Sequence, residues 1–511
     1  MIHYRVAAGS AASLKRFRQD EQGSILLLSV IFIFLMLMMG GLAVDIMRHE
    51  ERRVQLQQTL DRSVLAAASL SQDHDPEEVV TDYFRKAGLL EYLNDINVSE
   101  GLNFRTVSAD AEADTQPFFM HLMGIEDLNV AAGSTADERI SNVEVSLVLD
   151  ISGSMSGSRI NNLRPAAQEF VETVINSSDP GKVTVSLVPY TAQVNVGPDL
   201  FSQFNVTQLH SSSYCIELPD SVFSTTALSQ TTSFIHNGHF DPFNSGSASL
   251  FNCPYHTANR IIPLSDSTAR LQSAIGSMVV GGNTSIDLGV KWGALLLDPA
   301  SQGIVQGLIQ RGVVDDAYDD RPLSPSTIDT LKVMVVMTDG QNTAEYKLNN
   351  GWRTGNSIVW RSDSNGEVWA YHNRSNTNED YYNASTGRWA TAPHSSAVRL
   401  TWPQVFARWT TDTVARYFYA APLGGSVSTH ESNMLSYVSS TKNSRMQTVC
   451  TAAKNAGIVI YGIAFEAPSD GQTQIRNCAT SDAHYFNANG LEISTVFRAI
   501  ASQISYLRLT Q

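Results

Sequence analysis

Asp150, Ser152 and Ser154 alternate along the stretch Val143 to Ser158, VEVSLVLDISGSMSGS, and offer one carboxylate and two hydroxyls on a tight loop. Hard oxygen donors of this kind suit a divalent cation. The same residue types also cap helices and close turns, so the triplet alone reads equally well as a capping loop. The residues before it place the loop. Val145, Leu147, Val148 and Leu149 make a continuous apolar run, as a strand buried on both faces of a parallel sheet does. Asp150 then closes that strand at its C-terminal end, the side on which open α/β sheets bind ligands. Beyond it Leu163, Ala167, Phe170, Val171 and Val174 recur at helical spacing.

Two later segments carry matching features. Gly281, Gly282, Asn283, Thr284 and Ser285 precede a helical pattern from Ile286 to Leu297, and Lys332 to Asp339, KVMVVMTD, is a second buried strand ending on a carboxylate before Gly340. An Asp-x-Ser-x-Ser loop, a Thr loop and a Thr-Asp-Gly loop in this order resemble the metal-ion-dependent adhesion site of von Willebrand factor A domains. The resemblance implies that Asp150, Ser152, Ser154, Thr284 and Asp339 are the ligand set, some acting through water. Mg²⁺ is the cation expected, with Ca²⁺ or Mn²⁺ as alternatives. Mg²⁺ takes six oxygens and keeps several waters, so a site of this kind leaves one position for a carboxylate from a protein partner.

The elements that must hold these loops are strands alternating with helices. Gly457 to Phe465, GIVIYGIAF, reads as another buried strand after a short helix around Val449 to Ala456. Ala483 to Asn487 reads as an edge strand, and Ile493, Val496, Phe497, Ile500 and Ile504 as a closing helix. The expected fold is α/β, a doubly wound and mostly parallel sheet over 143–511. Two long insertions interrupt it, at about 200–263 and 344–446. The first holds His210, His236, His239 and His256 at irregular spacing, which reads as scattered surface histidines before a zinc site. In the second, Ile358 to Trp360 and Val368 to Tyr371 flank Asp363-Ser364-Asn365-Gly366, a hairpin signal. Its many Trp and Tyr residues read as a small aromatic core before a sugar or protein site.

The N-terminal part is of another kind. Met1 to Gly23 is polar and mildly basic, and Ile25 to Val44 carries no charge. At about 1.5 Å per residue that run reaches roughly the 30 Å of a bilayer core, so a transmembrane helix is expected over 25–44 after a cytoplasmic tail over 1–24. Arg5, Lys15, Arg16 and Arg18 before the run are balanced by Arg48, Arg52, Arg53 and Arg62 after it, so flanking charge does not orient it. A helical stripe (Val54, Leu56, Leu60, Val64, Ala67), a helix from Asp75 to Leu93 and short strands at Asn103 to Val107, Pro117 to Met123 and Leu128 to Ala131 suggest a small α+β stalk over 45–142. Its boundary is expected in Ser134 to Asn142. Asp20 to Ser24, Gly41 to Asp45, Leu56 to Asp61 and Leu65 to Ala68 resemble the TadE/TadG-like proteins of tight-adherence (Flp) pilus machines, whose TadG-like branch also carries a von Willebrand A domain. Leu28 stands where pilins cleaved after such a glycine carry Glu, so the span is expected to be retained.

Four cysteines, Cys215, Cys253, Cys450 and Cys478, all follow the apolar run. Three pairings are open, and nearness favours Cys215 with Cys253 and Cys450 with Cys478, against four reduced thiols. Such pairs and the bulk of the chain favour an inner-membrane, single-pass protein with its head in the periplasm or outside the cell. The net charge of −15, with no basic cluster, argues against nucleic acid. Neither a nucleophile elbow nor a His-Glu-x-x-His motif is present, which argues against a metallohydrolase. The reading is a non-enzymatic, metal-dependent adhesion or protein-binding component of a pilus assembly system, its partner a pilus or envelope protein. The alternative is an envelope scaffold in which metal plays no part.

Overall fold

The computed structural model describes residues 22–69, 72, 74–100, 104–139, 142–176, 181–324, 330–375 and 377–506. The basic tail lies outside the described residues apart from its last positions, and so do Ile140 and Ser141 of the expected boundary. The chain divides into two compact units, 1–100 with 104–139, and 101–103 with 140–511.

In the first unit the helix that carries the apolar run does not end with it at Val44. It continues as one helix, α1 (Gln22–Ala68), long and apolar enough to cross a membrane. From Ile25 to Val44 most of its side chains are exposed. Leu56, Leu60, Val64 and Ala67 of its second half are buried, with Val80 and Phe84 of α2 (Pro76–Ala87), on an antiparallel sheet. That sheet is β1 (Leu93–Glu100), β2 (Phe104–Thr115) and β3 (Leu128–Arg139), in that order. The expected strand Pro117 to Met123 is instead a turn at the tip between β2 and β3, closed by a short 3₁₀ helix at Met120–Met123. The expected boundary stretch from Ser134 is strand as far as Arg139, because it pairs residue by residue with β2.

The second unit is built on six strands. In chain order they are β4 (Asn142–Asp150), β5 (Val183–Tyr190), β6 (Ile262–Ser265), β7 (Thr330–Thr338), β8 (Val459–Phe465) and β9 (Tyr485–Ala488). Their spatial order is β9-β8-β7-β4-β5-β6, all neighbours parallel except β5 with β6. On one face pack α3 (Ser158–Asn176) and α4 (Thr268–Ser277), through Leu163, Phe170, Leu271 and Ile275, together with Ile493, Phe497 and Ile500 near the C-terminus. The other face carries α5 (Ile286–Leu295) and α6 (Gln302–Gln310), with α7 (Lys442–Asn455) and α8 (Ser469–Cys478) further along the chain. Every residue of α5 is buried, its two charged ones included: Lys291 donates to the carbonyls of Thr225, Thr226 and Ala227, and Asp287 faces Lys442 Nζ at 3.4 Å. Its approach depends on Gly289, where an added Cβ would stand 2.7 Å from the Tyr190 ring and 2.9 Å from Val148.

Between β7 and α7, five short strands from Asn356 to Thr401 form an antiparallel sheet, with Asn356–Ser362 paired to Val368–Tyr371 across the turn at Gly366. Its core holds Val359, Trp402, Phe406 and Phe418, and also Phe240 from the stretch between β5 and β6. Disulfides join Cys215 to Cys253 and Cys450 to Cys478.

Candidate metal centre

Strands β8, β7 and β4 lie side by side and parallel, so their C-terminal ends present Glu466, Asp339 and Asp150 along one edge. Asp150 is fully buried. Its Oδ1 accepts the Ser152 backbone N–H at 2.8 Å and its Oδ2 the Thr338 hydroxyl at 2.7 Å. The Ser152 and Ser154 hydroxyls are 3.1 Å apart, and Ser154 Oγ donates to Asp339 Oδ1 at 2.7 Å. Ser152 is buried and Ser154 exposed, so one side of the cluster is open to solvent.

Backbone bonds hold the three loops against one another. Gly153 N–H donates to Gly282 O and Gly281 N–H to Ile151 O, both at 2.9 Å, which joins the serine loop to the threonine loop. Thr284 N–H donates to Thr343 Oγ1 at 2.8 Å, and Thr343 N–H donates to Thr284 O at 2.9 Å, which joins the threonine loop to the segment after β7. Gly340 lies at the meeting point of the loops: an added Cβ there would be in ordinary contact with Thr284 Oγ1 at 3.5 Å and Ser154 Oγ at 3.8 Å. All five expected residues, Asp150, Ser152, Ser154, Thr284 and Asp339, therefore come from loops that touch.

The electrostatics are those of two carboxylates withdrawn from water together. Burial, and then the charge on Asp339, push the Asp150 carboxyl up to about 7. Burial raises Asp339 too, against the Ser154 and Arg159 hydrogen bonds that lower it. A bound cation would remove this penalty, and every donor present is a hard oxygen, so the residues fit a small divalent ion. Among the described residues no three His, Cys, Asp or Glu side chains gather into a cage, so hydroxyls would complete the set.

Three participants escaped the sequence reading. Thr338 orients Asp150, and its place directly before Asp339 was the available signal. Arg159, on α3, donates to Asp339 Oδ2 at 2.7 Å and to Glu466 Oε2 at 2.8 Å, tying together residues far apart in the chain. No local pattern announces such a bridge. Glu466 itself takes a left-handed φ of 53°, uncommon for a residue other than glycine.

The histidines of the first long stretch correct an expectation. Three of the four gather: the His210 and His236 rings lie 4.1 Å apart and those of His210 and His239 5.7 Å apart, with His236 and His239 buried, while His256 lies beside the Tyr255 ring. The strand at Phe234–His236 folds this stretch back on itself and gathers them. Both nitrogens of His236 are engaged by backbone: Nδ1 faces Leu209 N–H at 3.0 Å and Nε2 faces Ser213 O at 2.9 Å.

Compared with solved structures, the chain is similar to the pilus adhesin SpaC from Lactobacillus rhamnosus GG in its open conformation, with a TM-score of 0.31, 13% identity, and coverage of 80% of this chain and 33% of that one. It thus spans about a third of the length of SpaC. It is similar also to the vWF domain of the type V pili tip protein Mfa5 from Porphyromonas gingivalis, with a TM-score of 0.31, 14% identity, and coverage of 73% and 98%. A third is proximal thread matrix protein 1 from the mussel byssus with a zinc-occupied MIDAS motif, at a TM-score of 0.26 and 11% identity, covering 72% and 46%. A comparison with curated proteins gives no match. Residues 23–70 match the family model described as putative Flp pilus-assembly TadE/G-like.

Proposed function

We propose that this chain is a membrane-anchored, non-enzymatic protein-binding component of a tight-adherence (Flp) pilus system, whose head binds its partner through a divalent cation. In this reading residues 143–511 form a doubly wound, von Willebrand A-like domain with insertions at about 200–263 and 344–446. Residues 25–44 span the inner membrane once, and the bulk of the chain lies in the periplasm or outside the cell. The single observation that carries the reading is the convergence of Asp150, Ser152, Ser154 and Asp339, two buried carboxylates and two hydroxyls, at the ends of adjacent parallel strands. The match of residues 23–70 to a pilus-assembly family supports the anchoring part. Two disulfides suit an oxidising compartment.

Asp150, Ser152, Ser154, Thr284 and Asp339 would hold the ion, Mg²⁺ first among the candidates. When bound, it supplies a positive centre to which a partner's carboxylate attaches. A second reading, a scaffold without metal, is favoured by one observation: the Arg159 guanidinium already stands on Asp339 as a counter-charge. Titration of the full chain with Mg²⁺, combined with crosslinking of a membrane fraction, separates the two. The expected outcome is partner capture that is lost on chelation, restored by Mg²⁺, and abolished in Asp150→Ala at preserved thermal stability. Equal capture by chelated protein and by Asp150→Ala would establish the scaffold.

A further inference from the structure

The tip of the β2–β3 hairpin reads FFMHLMGI from Phe118 to Ile125, and most of it faces outward: Phe118 is 65% exposed, Leu122 80% and Met123 52%. Contiguous apolar exposure of this kind marks a contact surface. What it contacts follows from where the tip is fastened. Asp45, the first charged residue after the apolar run, accepts the backbone N–H groups of Phe118, Phe119 and Met120 at 2.9, 2.7 and 2.8 Å. The Phe119 ring lies on Gly41, at a spot that any Cβ would occupy, and the Arg48 guanidinium covers the Phe118 ring at 4.2 Å from its centroid. Gly41 lies inside the uncharged run, about 5 Å from its end at Val44 by helix rise.

We propose that Phe118–Ile125 is a second membrane contact, a wedge that lies in the headgroup boundary of the bilayer crossed by α1. This rests on reading α1 as a membrane span. The exposed apolar side chains of α1 and those of the tip form one continuous surface, because Phe119 joins the two at Gly41. Glu126 and Asp127 follow directly and are exposed, setting a polar rim where the chain turns back into β3. Aromatic and long aliphatic side chains beside a charged rim are the composition of interfacial elements. Asp45 makes the arrangement tolerable at that depth, since three amide donors satisfy a carboxylate only 2% exposed. A single helix leaves a domain free to rotate about its axis, whereas a helix and a wedge fix how this unit's sheet meets the bilayer.

The test uses the full chain in lipid vesicles with one added cysteine, spin-labelled at Leu122→Cys, Ile33→Cys or Lys86→Cys. The native cysteines are paired, so the label goes to the added thiol. Collision rates are measured with oxygen, which concentrates in lipid, and with a water-soluble nickel chelate. Expected is a several-fold excess of oxygen collisions at Leu122, as at Ile33, and the reverse at Lys86. If nickel prevails at Leu122 while oxygen prevails at Ile33, the wedge is overturned and the anchor stands. If nickel prevails at Ile33, the anchor itself fails and the wedge with it. Shielding of Leu122 from both reagents would assign the tip to a protein partner and overturn the proposal.

Discussion

Ser154 and Asp339 are 185 positions apart, yet the Ser154 hydroxyl donates to Asp339 Oδ1 at 2.7 Å. The contact is set by strand register. Leu149 stands opposite Met337 in the β4–β7 pair, so the residues that follow each strand emerge side by side. A slip of one residue would exchange the two faces of the slipped strand, sending side chains fitted to one helix layer into the other. The hydrophobic pattern of these strands therefore positions the polar residues at their ends.

Thr338→Val tests how far Asp150 depends on its neighbour. The substitution keeps the shape and removes the hydroxyl that donates to Asp150 Oδ2 at 2.7 Å and whose own oxygen, Thr338 Oγ1, accepts Gly340 N–H at 3.1 Å. Leaving a buried acceptor unpaired costs about 1–3 kcal/mol. Loss of an orienting partner typically lowers metal affinity about 10- to 100-fold. Urea unfolding without metal and Mg²⁺ titration calorimetry check the two effects. Unchanged Mg²⁺ affinity would remove Thr338 from the site.

Lys332 and Glu144 face each other on β7 and β4, with Nζ and Oε2 2.9 Å apart and both side chains 3% exposed. Lys332→Met strands the carboxylate in the sheet and is expected to cost about 3–5 kcal/mol. Replacing both residues by apolar ones, Glu144→Leu with Lys332→Met, should recover most of that loss. A single-variant loss below about 1 kcal/mol in chemical denaturation would mean that the carboxylate is not stranded.

Acid should destabilise the histidine cluster. Burial, and then the neighbouring imidazole of His210, push His236 down to about 4 and His239 to about 3, while burial lowers His210 as well. Histidines in the unfolded chain take up protons near pH 6.5, before the folded ones do. Stability contributed by the neutral rings is complete above that pH and falls as pH drops through it toward about 4. The slope is up to about 1.4 kcal/mol per pH unit for each responding ring. Urea midpoints of the wild type between pH 7.5 and 4.5 should fall more steeply than those of His236→Gln/His239→Gln. Parallel curves would refute the account.

Much of the central sheet was legible because its strands are largely apolar runs: Val145 to Leu149, broken only by Ser146, Val333 to Met337 and Ile458 to Phe465 need no partner to be recognised. The polar strand β1, LNDINVSE, went unread beyond Leu93, the end of the expected helix, since its stability comes from pairing with β2 rather than from composition. The edge strand β6 is four residues long, with Leu264 at a φ of 33°, and too irregular to carry a pattern. At the site, Asp150 and Asp339 announce themselves at strand ends. Arg159 does not, because its two carboxylates arrive from sequence 180 and 307 positions away. The histidine cluster was illegible for the same reason, its spacing being created by chain reversal rather than by helix or strand periodicity.

Gly471 on α8 lies directly on the carbonyl of Gly340, where any side chain would strike backbone. Asn342, two residues on, donates to Asn443 of α7 at 3.0 Å, and the Cys450–Cys478 disulfide joins α7 to α8. Gly340 follows Asp339 directly, so the helix pair is geared to the acidic loop: α8 bears on its backbone at Gly340, and α7 holds it through Asn342. Gly471→Ala jams that gear, with an expected loss of about 1–3 kcal/mol from overpacking and a fall in Mg²⁺ affinity, although the substituted residue touches none of the oxygens. Calorimetry on this variant reads both. Wild-type affinity would mean that the teeth do not engage. In mechanical terms, the two helices are a backstop behind the acidic loop, seated by one glycine and one amide pair and bolted together by one disulfide.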